Sequence, residues 1–583
     1  MKITACPLDC YDACAIVVDP KTQKMTGLSH HPMTRGSLCV HLNRHYKKAK
    51  RIKHPRIDGK EVSMEEAMEA VVRAIKDAGE DFLLYRGSGN VGFMQSITEI
   101  LPARLGGWTT EGSLCDGAGQ AGVEAGRGIS LALPPESIEQ ADAIIVWGRN
   151  VSVTDPHMME LLKNKTLIVI DPVKTKVAKM ADLYMQIRPR SDFYLAMLLA
   201  RFMFMEDMED KTFMEERCED ADWYYDFLRT FRIRVSLDKC DISLDDLGDL
   251  LYQMQNRKCV FLVGTGVQKY SIGNQVLQAI DGLAAVLGFF GKPGCGVSFL
   301  GDSMAGFNSP IQKSAKKVAK PLAPFGRFET VLIQGGNPAA QMPAQQKVAQ
   351  ELSSVKNLIY FGLYENETSR MAHIVLPAKD FLEKEDLRLS YAHPYVQPMP
   401  KIKESNFGIS EYELADSVLR AFGQEGLQSA QSYIDAMVSQ CIEEPSGLLR
   451  SPAYKRHPYE DGFETESGNF EFLEEFEDDF DDEAEGLWLL TPKSQHSLNS
   501  QFQRESHVWL HPGHGFAENE TVRIVSEHGE VELPVRLSED VRTDSVLIYS
   551  GTPGINRLTP PIMSLEGKNA CYQEVKVKIE GLS

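Results

Sequence analysis

The chain has 583 residues, 43% of them hydrophobic and 25% charged, and a formal charge of −20 at pH 7. That length is too great for one ordinary core and points to about three or four domains, while the acidity excludes a nucleic-acid partner, which would need clustered Lys and Arg. No apolar run reaches the ~20 residues that cross a bilayer; the best candidate, LAMLLARFMFM, is broken by Arg201, and the opening MKITACPLDC has no apolar or twin-arginine leader, so a cytoplasmic protein with no direct membrane insertion is expected.

Four of the eleven cysteines fall in the first forty residues. Cys6, Cys10 and Cys14 recur at intervals of four, and Cys39 follows a basic, histidine-rich loop. Three soft ligands from one short segment plus a return ligand suit an iron–sulfur cluster. A zinc site would space its cysteines in two matched halves, a disulfide framework belongs to small secreted chains, and chance burial of free thiols is the remaining reading. The other cysteines, at 218, 240, 259, 295 and 441 and 571, show no ligand spacing and read as reduced, buried thiols.

Short strands are expected at Ala15 to Val18 and Lys24 to Leu28, then a basic tract from His45 to Arg56, a helix over Met64 to Ala78, and a buried strand from Phe82 to Arg86 ending in Gly87-Ser88-Gly89-Asn90. Strand, glycine turn and helix make the unit of an open α/β sheet, whose ligands gather at the carboxyl ends of strands. Gly112 to Gly119 holds Cys115 just before a glycine-rich helix start, where the helix amino terminus favours a thiolate suited to metal ligation; Ser113 and Asp116 are neighbouring alternatives.

Two stretches share a layout. Ala143 to Trp147 ends in Gly148-Arg149-Asn150, and Leu167 to Ile170 ends in Asp171-Pro172, followed by Thr175, Ala178 and Met180-Ala181-Asp182. Val331 to Gln334 ends in Gly335-Gly336-Asn337-Pro338, and Leu358 to Phe361 leads to Glu367-Thr368 and Met371-Ala372-His373. This reads as a duplicated nucleotide-binding unit, in which an acid such as Asp171 meets a ribose or guanine edge and the Gly-Asn turns let backbone approach a diphosphate. Two ordinary buried strands with ordinary turns is the plain alternative.

The runs CPLDCYDAC, GSLCVHLNR, IIVWGRN, LIVIDPVKTKVAKMADLYMQIRPRSD, VGTGVQ, GKPGCGV, IQGGNPA and ETSRMAHIVLPA resemble successive blocks of the molybdopterin-guanine-dinucleotide oxidoreductases, the group of formate dehydrogenase, nitrate reductase and thiosulfate or polysulfide reductase. The resemblance covers nearly the whole chain. It implies an α/β, four-domain bis-pterin architecture with two pseudo-symmetric nucleotide-binding domains: a small Fe-S domain at 1–53, completed by part of 380–480; a first pterin domain from 54–130 and 326–480; a second at 131–325; and a C-terminal β-barrel cap at 487–583. It implies a [4Fe-4S] cluster on Cys6, Cys10, Cys14 and Cys39, and Mo or W held by bis-molybdopterin guanine dinucleotide and by Cys115, with Asp116 as an acid–base group. His41 stands where members commonly have a lysine between cluster and pterin. Asn150, Asp171, Thr175 and Asp192 would contact one dinucleotide, with Gly264, Gly336 and Asn337 lining the sites. In the barrel, TPKSQHSLNS and GINRLTP resemble loops that close over the pterins, offering Ser494, His496, Ser497, Asn499 and Asn556.

The chain departs from the family pattern in places. Arg190-Ser191-Asp192 replaces Gly-Thr-Asp, with Arg190 adding a charge near a phosphate; His373 replaces an aspartate; Asn469 replaces the lysine of an SGK-x-E segment. Asp116 stands where formate dehydrogenases carry histidine, which argues against formate as substrate and leaves a carboxylate to move protons. Leu382 to Glu385 and Ser390-Tyr391 match a block that returns toward the cofactor centre, helical patterns fill 409–443, and LEEFEDDFDDEAEG, a run of like charges, reads as a solvated linker. From Leu487 onward the character is β-rich, with strands expected at Thr521 to Ser526, Glu530 to Leu537, Ser545 to Tyr549 and Glu574 to Ile579. Together these imply an oxidoreductase acting on a small-molecule substrate. With no second cysteine cluster, its electrons must pass to a separate subunit or carrier. A hydratase or transhydroxylase on the same scaffold, and a metal-free electron-relay subunit, remain as alternatives.

Overall fold

The computed structural model describes residues 1–42, 48–480 and 484–582. Residues 45–47 of the basic tract and residues 481–483 of the acidic run lie outside the described residues.

The amino terminus is an antiparallel sheet of Lys2–Ala5, Ala15–Val18 and Met25–Gly27. Ala5 pairs with Ala15, and the next N–H, that of Cys6, donates to the Cys14 carbonyl at 2.9 Å. Hairpin register thus brings the first and third cysteines to one end of the sheet. Tyr395–Met399 packs alongside Lys2–Ala5, so residues nearly four hundred positions later support the cysteine loop.

Two open sheets follow. The first, wholly parallel, runs Leu183–Met185, Thr166–Ile170, Ala143–Trp147, Cys259–Val263, Gly296–Ser298. Its central strands are continuous apolar runs because helices cover both faces; Trp147 is wholly buried. Trp147 is in register with both Ile170 and Val263, so the turns at Gly148, Asp171 and Gly264 emerge along one edge. The chain leaves Ala143–Trp147 to one side and returns on the other, and that reversal opens a crevice of the kind ligands use.

The second sheet runs Lys60–Glu61, Arg56–Ile57, Ile374–Pro377, Asn357–Gly362, Thr330–Gln334, Phe82–Arg86, parallel except for the hairpin at its edge. Gln334 is level with both Arg86 and Phe361, so Gly87, Gly335 and Gly362 share an edge as well. The two units agree down to one backbone contact. Asp182 Oδ2 accepts the Leu167 N–H at 2.8 Å, and His373 Nδ1 accepts the Leu358 N–H at 3.0 Å. The main chain of each capping residue donates back to the carbonyl of the same leucine at 2.8 Å. His373 therefore replaces an aspartate in kind, as a strand cap.

Six strands, Leu487–Leu490, Ser545–Leu547, Val508–Leu510, Gly529–Leu537, Thr521–Ser526 and Lys576–Gly581, close into the C-terminal barrel. Before it, the described start of the acidic run is anchored by aromatic side chains where a solvated linker was expected. Phe472 stacks on Tyr224 and Phe476 on Phe193, both at 3.9 Å between ring centres, and Phe480 lies against Trp488. Phenylalanines at every fourth position anchor an extended strap whose acids mostly face solvent. Cys441 is half-buried, whereas the other five cysteines without ligand spacing are buried as expected.

Candidate active site

A cavity of about 1760 Å³ lies between the two sheet edges, the cysteine loop and the barrel. An ordinary small-molecule site needs ~300–1,000 Å³, so this one has room for more than a small substrate.

At one end Cys10, Cys39 and His41 line the wall, with Cys6 and Cys14 buried behind. Burial pushes the Cys6 thiol up to about 12, and it raises Cys10, Cys14 and Cys39 too; each thiol also feels charge on at least one of the others or imposes its own on them. Four converging thiols that burial holds protonated are ionised by a bound metal. His41 stacks face to face on Phe502, with ring centres 5.8 Å apart. Behind Cys14, His157 Nδ1 lies 3.7 Å from the sulfur and 2.7 Å from Asp12 Oδ2. Asp12, Cys14 and His157 form a tight trio of potential ligands among the described residues.

Cys115 projects into the middle of the cavity. Its N–H donates to Ser113 Oγ at 3.0 Å, and Lys269 Nζ donates to the Leu114 and Cys115 carbonyls at 3.0 and 2.9 Å. Burial, and then the adjacent Asp116 carboxylate, push the thiol up to about 12, outweighing the helix Gly117–Arg127 that begins two residues later. Lys269, Lys320 and Lys493 all sense charge at Cys115, and burial lowers all three, the first two to about 8. Three amines in the heart of a chain carrying −20 make this a place for an anionic ligand.

Asn150, Asp171, Thr175, Asp192 and Gly264 line one flank. Burial raises the Asp171 carboxyl to about 7 and Asp192 to about 6. Asp171 accepts the Val173 N–H at 2.8 Å and Asp192 the Trp147 indole N–H at 2.7 Å, leaving acceptor capacity for a ligand's donors. Asn150 Oδ1 accepts from Ser152, and Thr175 Oγ1 from the Ala178 N–H. Gly336 and Asn337 line the opposite flank, but the Asn337 side chain is occupied by Thr368, Glu367 and Ser500. Asn337 is a brace for its turn, tying it to the barrel loop. Ser494, Ser497, Asn499 and Asn556 border the roof. His496 does not: its Nε2 sits 3.1 Å from Gln495 Nε2 and 3.8 Å from Glu505. Arg190, expected near a phosphate, is instead neutralised by Asp478 and Glu574 at 2.6 and 2.7 Å.

Residues 30–406 match the molybdopterin oxidoreductase family, and residues 487–576 match the molydopterin dinucleotide binding domain. The chain belongs to the molybdopterin oxidoreductase family. Among curated relatives, Probable oxidoreductase YyaE of Bacillus subtilis is 27% identical over 80% of this chain and 77% of its own. Probable oxidoreductase YoaE of the same organism is 24% identical over 99% and 98%. The F420-dependent formate dehydrogenase subunit alpha of Methanocaldococcus jannaschii is 23% identical over 66% and 64%. Among solved structures, acetylene hydratase from Pelobacter acetylenicus superposes over 100% of both chains with a TM-score of 0.81 at 14% identity, a likeness of fold.

In this molybdopterin oxidoreductase the sequence reading overlooked several residues. Asp9 accepts the Tyr391 hydroxyl at 2.7 Å on the cavity wall; Tyr11 lies edge-on to Tyr391 with the Arg149 guanidinium 3.9 Å above its ring. Arg388 reaches under the cysteine loop. Tyr391 and Arg388 belong to the block after Leu382 that the sequence already directs toward the cofactor centre, which was the available signal. Among the described residues, no helix is long and apolar enough to cross a membrane.

Proposed function

We propose that the chain is the catalytic subunit of a molybdenum- or tungsten-dependent oxidoreductase, with a [4Fe-4S] cluster on Cys6, Cys10, Cys14 and Cys39 and a bis-dinucleotide metal centre ligated by Cys115. The observation that carries this reading is the single cavity in which Cys10 and Cys39, Cys115, and the glycine turns of both sheets meet. The donor set fits such groups: four thiols at one end of the cavity, carboxylates with acceptor capacity to spare on a nucleotide flank, and three amines around a central cysteine. When bound, the metal centre would supply two-electron chemistry or oxygen- or sulfur-group transfer, and the cluster one-electron relay.

The chain's own residues have separable tasks. Asp171 and Asp192 accept hydrogen bonds from one nucleotide base. Lys269 fixes the Cys115 loop through its carbonyls while adding positive charge. Asp116, 3.0 Å from the Cys115 sulfur, holds or releases a proton at the substrate position. Its presence, with the Asp9–Tyr391 pair nearby, also favours a second reading, the non-redox addition or transfer of water or hydroxyl, in which turnover would be indifferent to redox poise. Electrons of the redox reaction would leave to a separate carrier or subunit.

The deciding experiment is elemental analysis of protein purified without oxygen. One molybdenum or tungsten with about four irons per chain is the expected result. Iron alone, from cells able to make the pterin cofactor, would overturn the catalytic reading in favour of an electron-relay subunit.

A further inference from the structure

Arg388 ends the strand Asp386–Arg388 and is 1% exposed. Its Nη1 donates to the carbonyls of Cys6 and Leu8 at 2.6 and 2.9 Å. Its Nε and Nη2 are buried and bond to nothing among the described residues. Arg127 and Arg149 are equally buried, but each is paired with a carboxylate, Asp281 and Asp155; Arg388 has no such partner among the described residues. A guanidinium cannot shed its proton to escape the cost of burial, and a buried charge without a counter-ion is strongly unfavourable. Something anionic must belong beside it.

The surroundings identify that anion. Arg388 Nη1 sits on the main chain of Cys6 itself and of Leu8, midway to Cys10, so the guanidinium is held against the loop that carries three of the four proposed ligands. Asp9 lies on the same loop, but its carboxylate is engaged by the Tyr391 hydroxyl at 2.7 Å and makes no ion pair with Arg388 among the described residues. His41 adds little here, since it is stacked on Phe502 on the cavity side. Four thiolates around an iron–sulfur core carry net negative charge, and hydrogen bonds and charge around the sulfurs set the reduction potential of such a group.

We propose that Arg388 is the counter-cation of the iron–sulfur group on Cys6, Cys10, Cys14 and Cys39, and that it stabilises the reduced form of that group. The inference rests on the cluster assignment above. Reduction adds one electron and one negative charge, so a fixed neighbouring cation strengthens electron uptake and raises the potential.

The test is a potentiometric titration of anaerobically purified holoenzyme followed by electron paramagnetic resonance, with R388M, R388Q and R388K compared with wild type. R388M and R388Q should bind the electron at least tenfold more weakly, a fall of about 59 mV for one electron; R388K, which keeps the charge, should stay within about threefold. R388Q also keeps a donor for the Cys6 and Leu8 carbonyls, so it carries the same expectation should R388M fail to fold. Loss of iron from folded R388M and R388Q but not from R388K would equally support the proposal. A loaded R388M or R388Q with an unchanged potential, or loss of iron from all three, would overturn it. A wild-type protein with no iron–sulfur signal would instead overturn the cluster assignment, and the proposal with it.

Discussion

The Cys115 thiol donates to Asp116 Oδ1 at 3.0 Å, joining the proposed metal ligand directly to a carboxylate. Burial first, and then this carboxylate, keep the thiol near 12 despite the helix that follows, and the contact gives the proton displaced on metal binding an immediate acceptor. Cys115→Ala is expected to abolish turnover while leaving iron at wild-type content, because the four cysteines of the amino-terminal loop are untouched. Activity and iron assayed on one preparation check this; undiminished activity would remove Cys115 from the site.

Two glycines assigned together from sequence play different parts. A Cβ on Gly264 would lie 2.1 Å from the Gly148 carbonyl oxygen and 2.7 Å from Arg149 Cα, so this glycine is required by strand-turn packing. A Cβ on Gly336 would find nothing nearer than 3.5 Å. Gly264→Ala should therefore cost about 1–3 kcal/mol, as overpacking does, and lower the melting temperature of the protein with or without cofactor. Gly336→Ala should melt like wild type without cofactor but retain less of it after gel filtration, because Gly336 belongs to the cavity lining.

The repeated strand-and-turn units were legible because strands buried on both faces must be continuous apolar runs. Ala143–Trp147 and Phe82–Arg86 have the limits expected from sequence, and so does the helix Met64–Ala78, capped by Ser63 and Glu66. What escaped was contact across great separation. The Arg388–Cys6 and Asp9–Tyr391 bonds each span 382 residues, and no local period reports them. The strap around Phe472, Phe476 and Phe480 was hidden for another reason: its acids dominate composition, while its four-residue aromatic spacing serves an extended segment instead of a helix. His373 stands out in sequence only as a departure from an aspartate, because its role, accepting a backbone N–H as Asp182 does, is invisible without the pseudo-symmetric partner beside it.

Asp171 carries a pH signature. Burial raises its folded-state value to about 7 from an ordinary 3.8, so between those limits the folded cofactor-free protein holds a proton that the unfolded chain releases. Stability from this group is complete below the ordinary carboxylate range and is lost as pH rises toward 7, by an amount on the order of 4 kcal/mol. Cofactor-free wild type should therefore lose more thermal stability between about pH 4 and about pH 7, the ends of that window, than Asp171→Asn does. Parallel melting curves for the two proteins would contradict this.

The helix that follows Cys115 is held from behind by one buried ion pair. Arg127, near the end of Gly117–Arg127, donates through Nε to Asp281 Oδ2 at 2.7 Å and through Nη2 to Oδ1; Asp281 lies in Gly273–Val286, and both side chains are essentially inaccessible. Arg127 also sits between the rings of Phe290 and Tyr459, at 4.8 and 5.4 Å, so its stem and charge are fixed on several sides. Removing the carboxylate leaves that guanidinium buried without its counter-ion, and breaking such a pair costs about 3–5 kcal/mol. Asp281→Ala should unfold at a clearly lower temperature. Because Gly119, one turn after Cys115, is bonded to Gln268 beside the same helix, the Cys115 loop should loosen with it and metal content should fall. The double variant Arg127→Met, Asp281→Leu removes both charges together and should recover much of the stability, a recovery that simple loss of volume at either position would not produce.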